Sequence, residues 1–396
     1  RGTHLTVSLE RLQDLSSHNV VRIGLSATIG NLKDAANFIS GWNRKCSILV
    51  DNTIRDYDID VKYLNGPISN VAKFVLKYLK DNKICGPVLL FTNTRDEPEY
   101  IGTTIRNQND IPVEVHHGSL SKETREETES KLRDGLTGIV VCTSSLELGL
   151  DIGSVELVIH YGSSKQVSKL VQRIGRSRHV NYKSAKGLII VNSADDELES
   201  LSIINRMRKR SIEIQKPHTN SLDVLSHHLV GSVISSSEPK KLGDVYQTIS
   251  RAFPFKDLTF LEVEQCAVLL DSFRIIKYDS KSQTYARRIK SYKYYFENIS
   301  TIPNIVKFEV IDVIRKKRIG TLDQQFIGEF GERGNVFILK GTQWRIISVD
   351  ENKLQVNVEQ VFGSPINIPH WVGEMIPVDQ ETAREVGNLR NKALGQ

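Results

Sequence analysis

Short apolar runs alternate with amphipathic helical patterns through the middle of the chain. Runs rich in β-branched residues begin near residues 88, 112, 139 and 187. Such runs are typical of strands that are buried on both faces of a parallel sheet. Helical periodicity fills the intervals, at residues 69–81, 97–107, 121–134 and 166–174. Because strands and helices alternate, the pattern predicts an α/β domain with a parallel sheet.

The pattern differs on either side of this domain. Before it, helices at 8–17 and 32–39 flank a predicted buried strand at 20–26. After it come three helices and a hairpin, the order of elements in a winged helix. These are predicted at 223–235, 242–252, 259–270, 273–278 and 284–288, with Asp223 and Thr259 as helix caps.

Short alternating strands then predict a small antiparallel barrel. They are expected at 308–314, 317–322, 335–339, 343–349 and 354–358, and a helix is expected at 379–393. The resulting prediction has four domains. They are the tail of a preceding domain (1–50), the parallel-sheet domain (51–196), the winged helix (197–295) and a barrel-like domain with the start of a further helical region (296–396).

Composition adds little to this division. The 396 residues carry a formal net charge of +6, which is only mildly basic. No apolar segment reaches the ~18 residues of a membrane span, and the N-terminus resembles no secretory signal, so we expect a cytoplasmic protein without a membrane partner. Cys46, Cys85, Cys142 and Cys266 lie far apart, which predicts buried free thiols rather than a zinc site or disulfides.

An octapeptide carries the clearest candidate chemistry. Residues 172–179 read Gln-Arg-Ile-Gly-Arg-Ser-Arg-His, which places Arg173 and Arg176 three apart around Gly175. Guanidinium groups at this spacing project to one side of a helical turn and suit a polyphosphate. A lone R-x-x-R is more often a solvated basic helix face.

Polar turns follow the predicted strands. Thr94 and Arg95 come after the first, Gly118 and Ser119 after the second, and Thr143 and Ser144 after the third. In α/β sheets, ligands bind at the carboxyl ends of the strands, so these turns suit phosphate. Gly149 and Asp151 follow the third turn; Asp151 suits a ribose hydroxyl, or else a helix cap.

The order of these segments resembles the second RecA-like domain of superfamily 2 helicases. The matching segments are Ser26-Ala27-Thr28, residues 91–95, residues 117–119, residues 143–151 and the octapeptide. Residues 1–12, 24–31 and 222–231, His179, and residues 319–323 and 369–377 further resemble the large helicase-related (Lhr) branch. An archaeal source is expected, and the resemblance implies a RecA-like domain followed by a winged helix and a barrel-like domain.

This resemblance implies a motor that uses ATP and Mg²⁺ to move 3′ to 5′ along single-stranded or forked DNA, with RNA or an RNA:DNA hybrid as alternatives. Arg173, Arg176 and Gln172 would be catalytic, and Gly149, Asp151, Arg173 and Arg176 would bind the nucleotide. The implied nucleic-acid contacts are Ser26, Thr28, Thr94, Arg95, Gly118, Ser119, Thr143 and Ser144. Ser26 and Thr28 would also couple hydrolysis to grip on the strand.

The sequence lacks the phosphate loop G-x-x-x-x-G-K-[ST] and an Asp-Glu-x-His run, which hold ATP and Mg²⁺ in this class. We therefore expect a fragment without most of the first RecA-like domain, inactive by itself. The alternative is a non-enzymatic module that binds or anneals nucleic acid.

Three further features leave two interpretations open. Arg287 and Arg288 in the predicted wing suit nucleic acid or a solvated hairpin, and the run 315–318 suits phosphate or a solvated turn. Trp371, in an irregular loop, suits stacking on a base or packing against the barrel. Trp344, at a strand position, is predicted to be a core residue.

Overall fold

The computed structural model describes residues 1–26, 28–51, 56–147, 153, 155–177, 184–302, 306–361, 377–393 and 395. The chain divides into two compact units, each formed from two separate stretches. The winged-helix unit comprises Arg1–Asn52 and Ile214–Asn304, and the parallel-sheet unit comprises Thr53–Glu213 and Ile305–Gln396. The sequence predicts four consecutive domains, whereas contacts group the first with the third and the second with the fourth.

Helices and strands are numbered in chain order. The helices are α1 (Gly2–Leu15), α2 (Leu32–Ser40), α3 (Ser69–Asp81), α4 (Asp96–Gln108), α5 (Lys122–Arg133), α6 (Val167–Ile174), α7 (Ala194–Arg208), α8 (Leu222–Ile234), α9 (Leu242–Ser250), α10 (Phe260–Ser272), α11 (Ile289–Glu297), α12 (Gln324–Phe330) and α13 (Gln380–Ala393). The strands are β1 (Asp56–Tyr63), β2 (Val88–Phe91), β3 (Val113–His116), β4 (Ile139–Cys142), β5 (Leu157–Tyr161), β6 (Ser184–Val191), β7 (Lys240–Lys241), β8 (Ile276–Asp279), β9 (Thr284–Arg287), β10 (Lys307–Asp312), β11 (Lys317–Asp323), β12 (Val336–Leu339), β13 (Thr342–Asp350) and β14 (Gln355–Val361).

A six-stranded parallel sheet in the order β1-β6-β5-β2-β4-β3 forms the centre of the parallel-sheet unit. Side chains alternate across it: Leu89 and Phe91 pack toward α5, α6 and α7, while Val88 and Leu90 pack toward α3 and α4. Both faces are thus buried, which explains the near-continuous apolar runs. The predicted α/β class with a parallel sheet is confirmed. Helix α7 also belongs to this unit, beyond the predicted boundary at residue 196.

The same unit contains a five-stranded sheet in the order β11-β10-β14-β13-β12. Its neighbouring strands run antiparallel, except that β10 and β14 are parallel. All five strands predicted for the barrel-like region are present, and α12 is an element that the alternating pattern did not predict. Trp344 is confirmed as a core residue, since its side chain is buried and its Nε1 donates to the carbonyl of Leu339 at 2.8 Å.

The winged-helix unit has the predicted three helices, α8, α9 and α10, with the sheet β7-β9-β8. Thr259 is confirmed as the cap of α10, where it forms a capping box with Glu262. Asp223 instead lies in the first turn of α8, and Ser221 takes the cap position. Helix α1 packs against α8 and α9.

A buried carboxylate connects the two stretches of the winged-helix unit. Glu10 on α1 pairs with Arg22 at 2.7 Å, Arg44 at 2.7 Å and Arg251 at 3.2 Å. Burial by itself raises the pKa of Glu10, but hydrogen bonds from Arg22 and Arg44 outweigh burial and lower it. The three arginines therefore keep this interior charge compensated.

Two sequence predictions were wrong, one of them only in part. Residues 20–26 form no strand, and Val21, Ile23 and Leu25 are 81%, 80% and 95% exposed. A strand needs a neighbouring backbone, and among the described residues none pairs with this segment. The cysteines are free, but Cys46 and Cys85 are exposed while Cys142 and Cys266 are buried.

Each helix in the described part of the chain is too short or too polar to span a bilayer.

Candidate nucleotide and strand-binding site

Three polar turns begin at one edge of the parallel sheet. Phe91, Cys142 and His116, the last residues of β2, β4 and β3, lie side by side in register. The turns start under backbone control, because Thr92 N–H donates to Cys142 O at 2.9 Å and Thr143 N–H to His116 O at 3.3 Å. The sheet therefore brings together the turns that the sequence separates by more than twenty residues.

Arg173, in the last turn of α6, points into the domain. Its side chain is 1% exposed, and its Nε donates to Glu147 Oε2 at 2.9 Å. Its Nη1 contacts Nε2 of His160, and its guanidinium lies 5.2 Å from the ring centre of Phe91. Since His160 Nδ1 donates to Gly162 O at 3.0 Å, Nε2 carries the lone pair that accepts from Arg173. Burial and the charge of Arg173 lower the pKa of His160 well below its usual value.

Arg176 lies just beyond the end of α6 and is half-buried. Its Nε and Nη2 donate to the carbonyl oxygen of Glu147 at 3.2 and 2.8 Å. A Cβ at Gly175 would lie 2.8 Å from the carbonyl of Val171, so glycine permits the tight turn that leads to Arg176. Arg173 and Arg176 thus both contact Glu147, but they differ in exposure. Gln172, one turn earlier, is also half-buried.

The helix that carries Arg173 begins on a distant carboxylate. Glu213 accepts from the N–H groups of Val167 and Ser168, the latter at 3.0 Å. Gln166, in the cap position, provides no side-chain bond. A carboxylate here satisfies free N–H groups and complements the positive end of the helix. Glu213 therefore anchors the start of α6.

The turn after β2 is held by Glu97. The N–H groups of Asn93 and Thr94 both donate to Glu97 Oε2 at 3.1 Å, so the Thr94 N–H is already engaged. Burial raises the pKa of Glu97. Thr94 is exposed, whereas Arg95 is half-buried and donates to Ser119 Oγ at 3.2 Å. This contact joins the first turn to the second.

Gly118 and Ser119 differ in accessibility. Gly118 is exposed, and a Cβ added to it would meet no other atom within 4 Å. Ser119 is buried; its N–H donates to His117 Nδ1 at 3.3 Å, and its carbonyl accepts from Thr321 N–H at 2.7 Å. The predicted pair therefore contributes one exposed backbone position and one interior support.

The turn after β4 exposes Ser144 and buries Thr143. Nearby, His116 contacts Ser145 Oγ at 2.7 Å and Glu129 at 3.1 Å, and burial lowers its pKa to about 4. Gly149 and Asp151, predicted to bind the nucleotide, lie outside the described residues.

The remaining residues predicted to contact nucleic acid belong to the winged-helix unit or lie outside the described residues. Ser26 is exposed and Thr28 half-buried, in a segment without helix or strand. Arg287 is exposed, with Nη1 3.3 Å from the carbonyl of Ile234. Arg288 supports the fold instead, since it donates to Ile276 O at 2.7 Å and to Asp271 at 2.8 Å. Trp371 and His179 are outside the described residues.

Sequence reasoning did not identify the acidic residues that hold these turns. Glu147 lies within the predicted motif but was given no role, and Glu97, Glu99 and Glu213 were not considered as site residues. Glu213 bonds to Val167, 46 residues away along the chain, and a contact over that separation produces no periodic pattern in the sequence. Among the described residues no cluster of His, Cys, Asp or Glu is arranged to hold a metal ion.

Comparisons with known proteins identify similar domains and relatives. The helicase conserved C-terminal domain profile matches residues 70–181, and the profile of the winged-helix domain of large helicase-related proteins matches residues 205–364. An ATP-dependent helicase Lhr-Core of Methanocaldococcus jannaschii is 34% identical over all of this chain and 47% of its own length. The Lhr-Core of Saccharolobus solfataricus is 32% identical over 99% of this chain and 47% of its own length.

A solved structure, the Mycobacterium smegmatis helicase Lhr bound to ssDNA and AMP-PNP, aligns with a TM-score of 0.70 and 25% identity. The alignment covers 98% of this chain and 48% of that one. The chain therefore spans about half the length of the relatives it matches.

Proposed function

Because the chain is similar to ATP-dependent Lhr-Core helicases and matches the winged-helix profile of large helicase-related proteins, we propose that it belongs to the large helicase-related family and supplies one half of an ATP-driven motor that moves along a nucleic-acid strand. The observation that carries this proposal is the convergence of Arg173 and Arg176 on Glu147, at the sheet edge where the three polar turns begin. A fixed cationic group beside polar turns suits a site that stabilises charge on a transferring phosphoryl group.

We assign the two arginines different roles. Arg176 would be the finger that contacts the γ-phosphate, because it is only half-buried, lies just beyond the helix and bonds a backbone carbonyl rather than a buried charge. Arg173 would orient Glu147 and the turn after β4; its donors are engaged inside the domain, and moving it to a phosphate would leave Glu147 and His160 unpaired in the interior. Gln172 remains a proposed catalytic contact.

ATP would bind between this edge and a first RecA-like domain. Gly149 and Asp151 would contact the nucleotide, with the Asp151 carboxylate accepting from a ribose hydroxyl. Bound Mg²⁺ would neutralise charge on the phosphate oxygens. We assign no described residue of this chain to Mg²⁺, since no suitable cluster is present among them.

The strand would run along the three turns. Thr94, Arg95, Gly118, Thr143 and Ser144 would contact phosphate and sugar, which positions a strand without reading its sequence. Ser119 would support Gly118, and Ser26 and Thr28 would couple hydrolysis to strand grip. The proposed substrate is single-stranded or forked DNA, with RNA or an RNA:DNA hybrid as alternatives, and movement would be 3′ to 5′.

The test is ATP hydrolysis by this chain and by a protein extended to the length of its relatives. We expect strand-stimulated turnover from the extended protein and none from the 396-residue chain, because fingers alone cannot hold a nucleotide. Turnover by the highly purified chain would contradict the proposal that it supplies only half of the site.

A second candidate function is non-enzymatic binding or annealing of strands. It is favoured by the absence of a phosphate loop from this sequence. An extended protein that anneals complementary strands without ATP, and hydrolyses none when a strand is added, would establish this function instead.

A further inference from the structure

The segment that carries Gly118 belongs to two sheets. Residues 117–121 leave β3 of the parallel sheet and then pair with β11 of the five-stranded sheet. Leu120 forms an antiparallel bridge with Gly320, Ser121 N–H donates to Ile319 O at 3.1 Å, and Thr321 N–H donates to Ser119 O at 2.7 Å. The segment thus extends the edge of the five-stranded sheet.

The approach of the two backbones is close and depends on glycine. A Cβ at Gly320 would lie 2.7 Å from the carbonyl oxygen of Ser119, nearer than real Cβ atoms come. Leu120 is buried in the core of the five-stranded sheet, where it clusters with Phe308, Leu322 and others. A side chain from the strand-binding segment is therefore part of the core of the five-stranded sheet.

Glu99 on α4 holds the other end of the segment. Glu99 and His117 are both 0% exposed, and His117 Nε2 donates to Glu99 Oε1 at 2.8 Å. The same carboxylate accepts from the N–H groups of Lys340 at 2.7 Å and Gly341 at 2.5 Å, in the turn between β12 and β13. One buried carboxylate thus joins the first residue of the segment to the five-stranded sheet.

Arg106 strengthens the same connection. Its guanidinium donates to Gly341 O at 2.5 Å and to Val113 O at 2.7 Å, the latter in the first residue of β3. Glu99 itself accepts from His117 and from the N–H groups of Lys340 and Gly341, so its oxygens are hydrogen-bonded in the interior, where an unpaired carboxylate would be costly.

Gly118 is exposed, and a Cβ added to it would meet no atom within 4 Å beyond its chain neighbours. A glycine between free ends would sample many conformations, and ordering it on a strand would cost binding free energy. Here His117 is fixed by Glu99, and Ser119 is fixed by Thr321 and Arg95. Both neighbours of Gly118 are therefore held in place before a strand binds.

We propose that the five-stranded sheet is the support that holds the strand-binding segment in its binding geometry, with Glu99 and Gly320 as the positioning residues. This inference rests on the proposed function, in which Gly118 contacts a nucleic-acid strand. It assigns to the five-stranded sheet a role in strand affinity that does not require its own side chains to touch the strand.

The experiment measures binding of the 396-residue chain to a fluorescent oligothymidylate by anisotropy, at several salt concentrations. The variants are Glu99→Gln, which removes the charge but keeps the shape, and Gly320→Ala, which forces Ser119 away. Glu156→Gln is the matched control, because Glu156 also accepts from two backbone N–H groups, those of Cys85 and Gly86, before β2 at the opposite end of the sheet.

We expect Glu99→Gln and Gly320→Ala to weaken binding roughly 3–10-fold, because ordering the segment now costs free energy on binding. The slope of log affinity against log salt should also decrease, by up to ~0.7, because moving Ser119 also displaces the Arg95 cation that donates to it and would neutralise one phosphate. Partial unfolding lowers the active fraction but leaves this slope unchanged, so the slope separates positioning from loss of fold. Glu156→Gln should keep the wild-type slope and affinity.

Each other outcome has a definite meaning. If the parent chain binds but both variants bind as Glu156→Gln does, the positioning role is overturned and the proposed function stands. If the parent chain does not bind at all, the proposed strand contacts are overturned, and this inference with them. The Gly320→Ala variant tests the positioning role without changing Glu99. If the Glu99→Gln protein does not fold, the affinity and salt slope of Gly320→Ala decide the proposal.

Discussion

The sheet edge of the parallel-sheet unit and the hairpin of the winged-helix unit were both predicted to contact nucleic acid, and their polar groups are used differently. At the sheet edge, buried acids hold turns that expose Gly118 and Ser144. In the winged helix, Arg288 is engaged by Asp271 and the carbonyl of Ile276. Whether a cationic side chain is available to bind nucleic acid therefore depends on the partners that the fold gives it, and the sequence alone does not show those partners.

The third helix of the winged helix strengthens this contrast. In many winged helices this element enters the major groove. Here α10 contains no Lys or Arg, and it exposes Leu261, Val268 and Leu269 by 60%, 51% and 53%. Such a surface cannot neutralise phosphates. Helix α10 is therefore a weaker candidate for a strand contact than the parallel-sheet edge proposed above.

The largest expected effect is on catalysis. Arg176→Ala in a protein extended to the length of its relatives should lower the catalytic rate by ~10³-fold or more with strand affinity nearly unchanged, because a finger acts mainly in the transition state. The matched control is Arg287→Ala in the other region, which should leave the rate unchanged. Normal turnover in Arg176→Ala would remove the finger assignment.

The loss of stability should be larger for the Arg173→Ala substitution than for Arg288→Ala. Arg173→Ala leaves the buried Glu147 carboxylate without its partner and should destabilise the parallel-sheet unit by ~3–5 kcal/mol. Arg288→Ala breaks a pair whose side chains are 38% and 36% exposed, and should cost ~1 kcal/mol or less. Hydrogen exchange under native conditions would report the two units separately. Equal losses of protection would show that Arg173 is not an interior support.

Acid should destabilise the winged-helix unit through its buried histidines. Burial lowers the pKa of His228 to about 2 and of His227 to about 4, and it also lowers that of His4. The unfolded chain binds protons below its ordinary value near 6.5, so the contribution to stability is fully present above that pH. It is lost as pH falls toward 4, by up to ~1.4 kcal/mol per histidine and pH unit.

The measurement is the pH dependence of exchange protection in α8. His228→Gln should flatten it, while the exposed His18→Gln should not. A parent chain whose α8 protection is constant between neutral pH and pH ~4 would show that these histidines do not stay neutral in the folded state.

The smallest expected effect is on strand affinity. Arg95→Ala should weaken binding of single strands by the 396-residue chain and reduce the salt slope by ~0.7, because the variant neutralises one phosphate fewer. Arg288→Ala should change neither quantity. If Arg288→Ala shows the larger decrease in affinity, the winged helix rather than the sheet edge binds the strand.

Much of the parallel-sheet unit follows from the sequence alone. The apolar runs of β2 and β4 and the helical periods around them determine a parallel sheet, because such strands are stable only when both faces are buried. Parallel strands place their carboxyl ends at one edge, so the spacing of Thr94, Gly118 and Thr143 already predicts a shared site. Arg173 and Arg176, three residues apart, were predicted to project to one side, and both contact Glu147.

Only the tertiary structure decided what each of these residues does there. Arg173 and Ser119 are buried and support the interior of the domain. Glu99 lies within hydrogen-bond distance of His117 and of a turn more than 200 residues away along the chain. The apolar segment 20–26 formed no strand for the same reason, since pairing depends on a neighbouring backbone that local pattern does not specify. The periodicity of apolar residues shows which face of a helix or strand is buried. The residues that contact that face are determined only when segments distant in the sequence pack together.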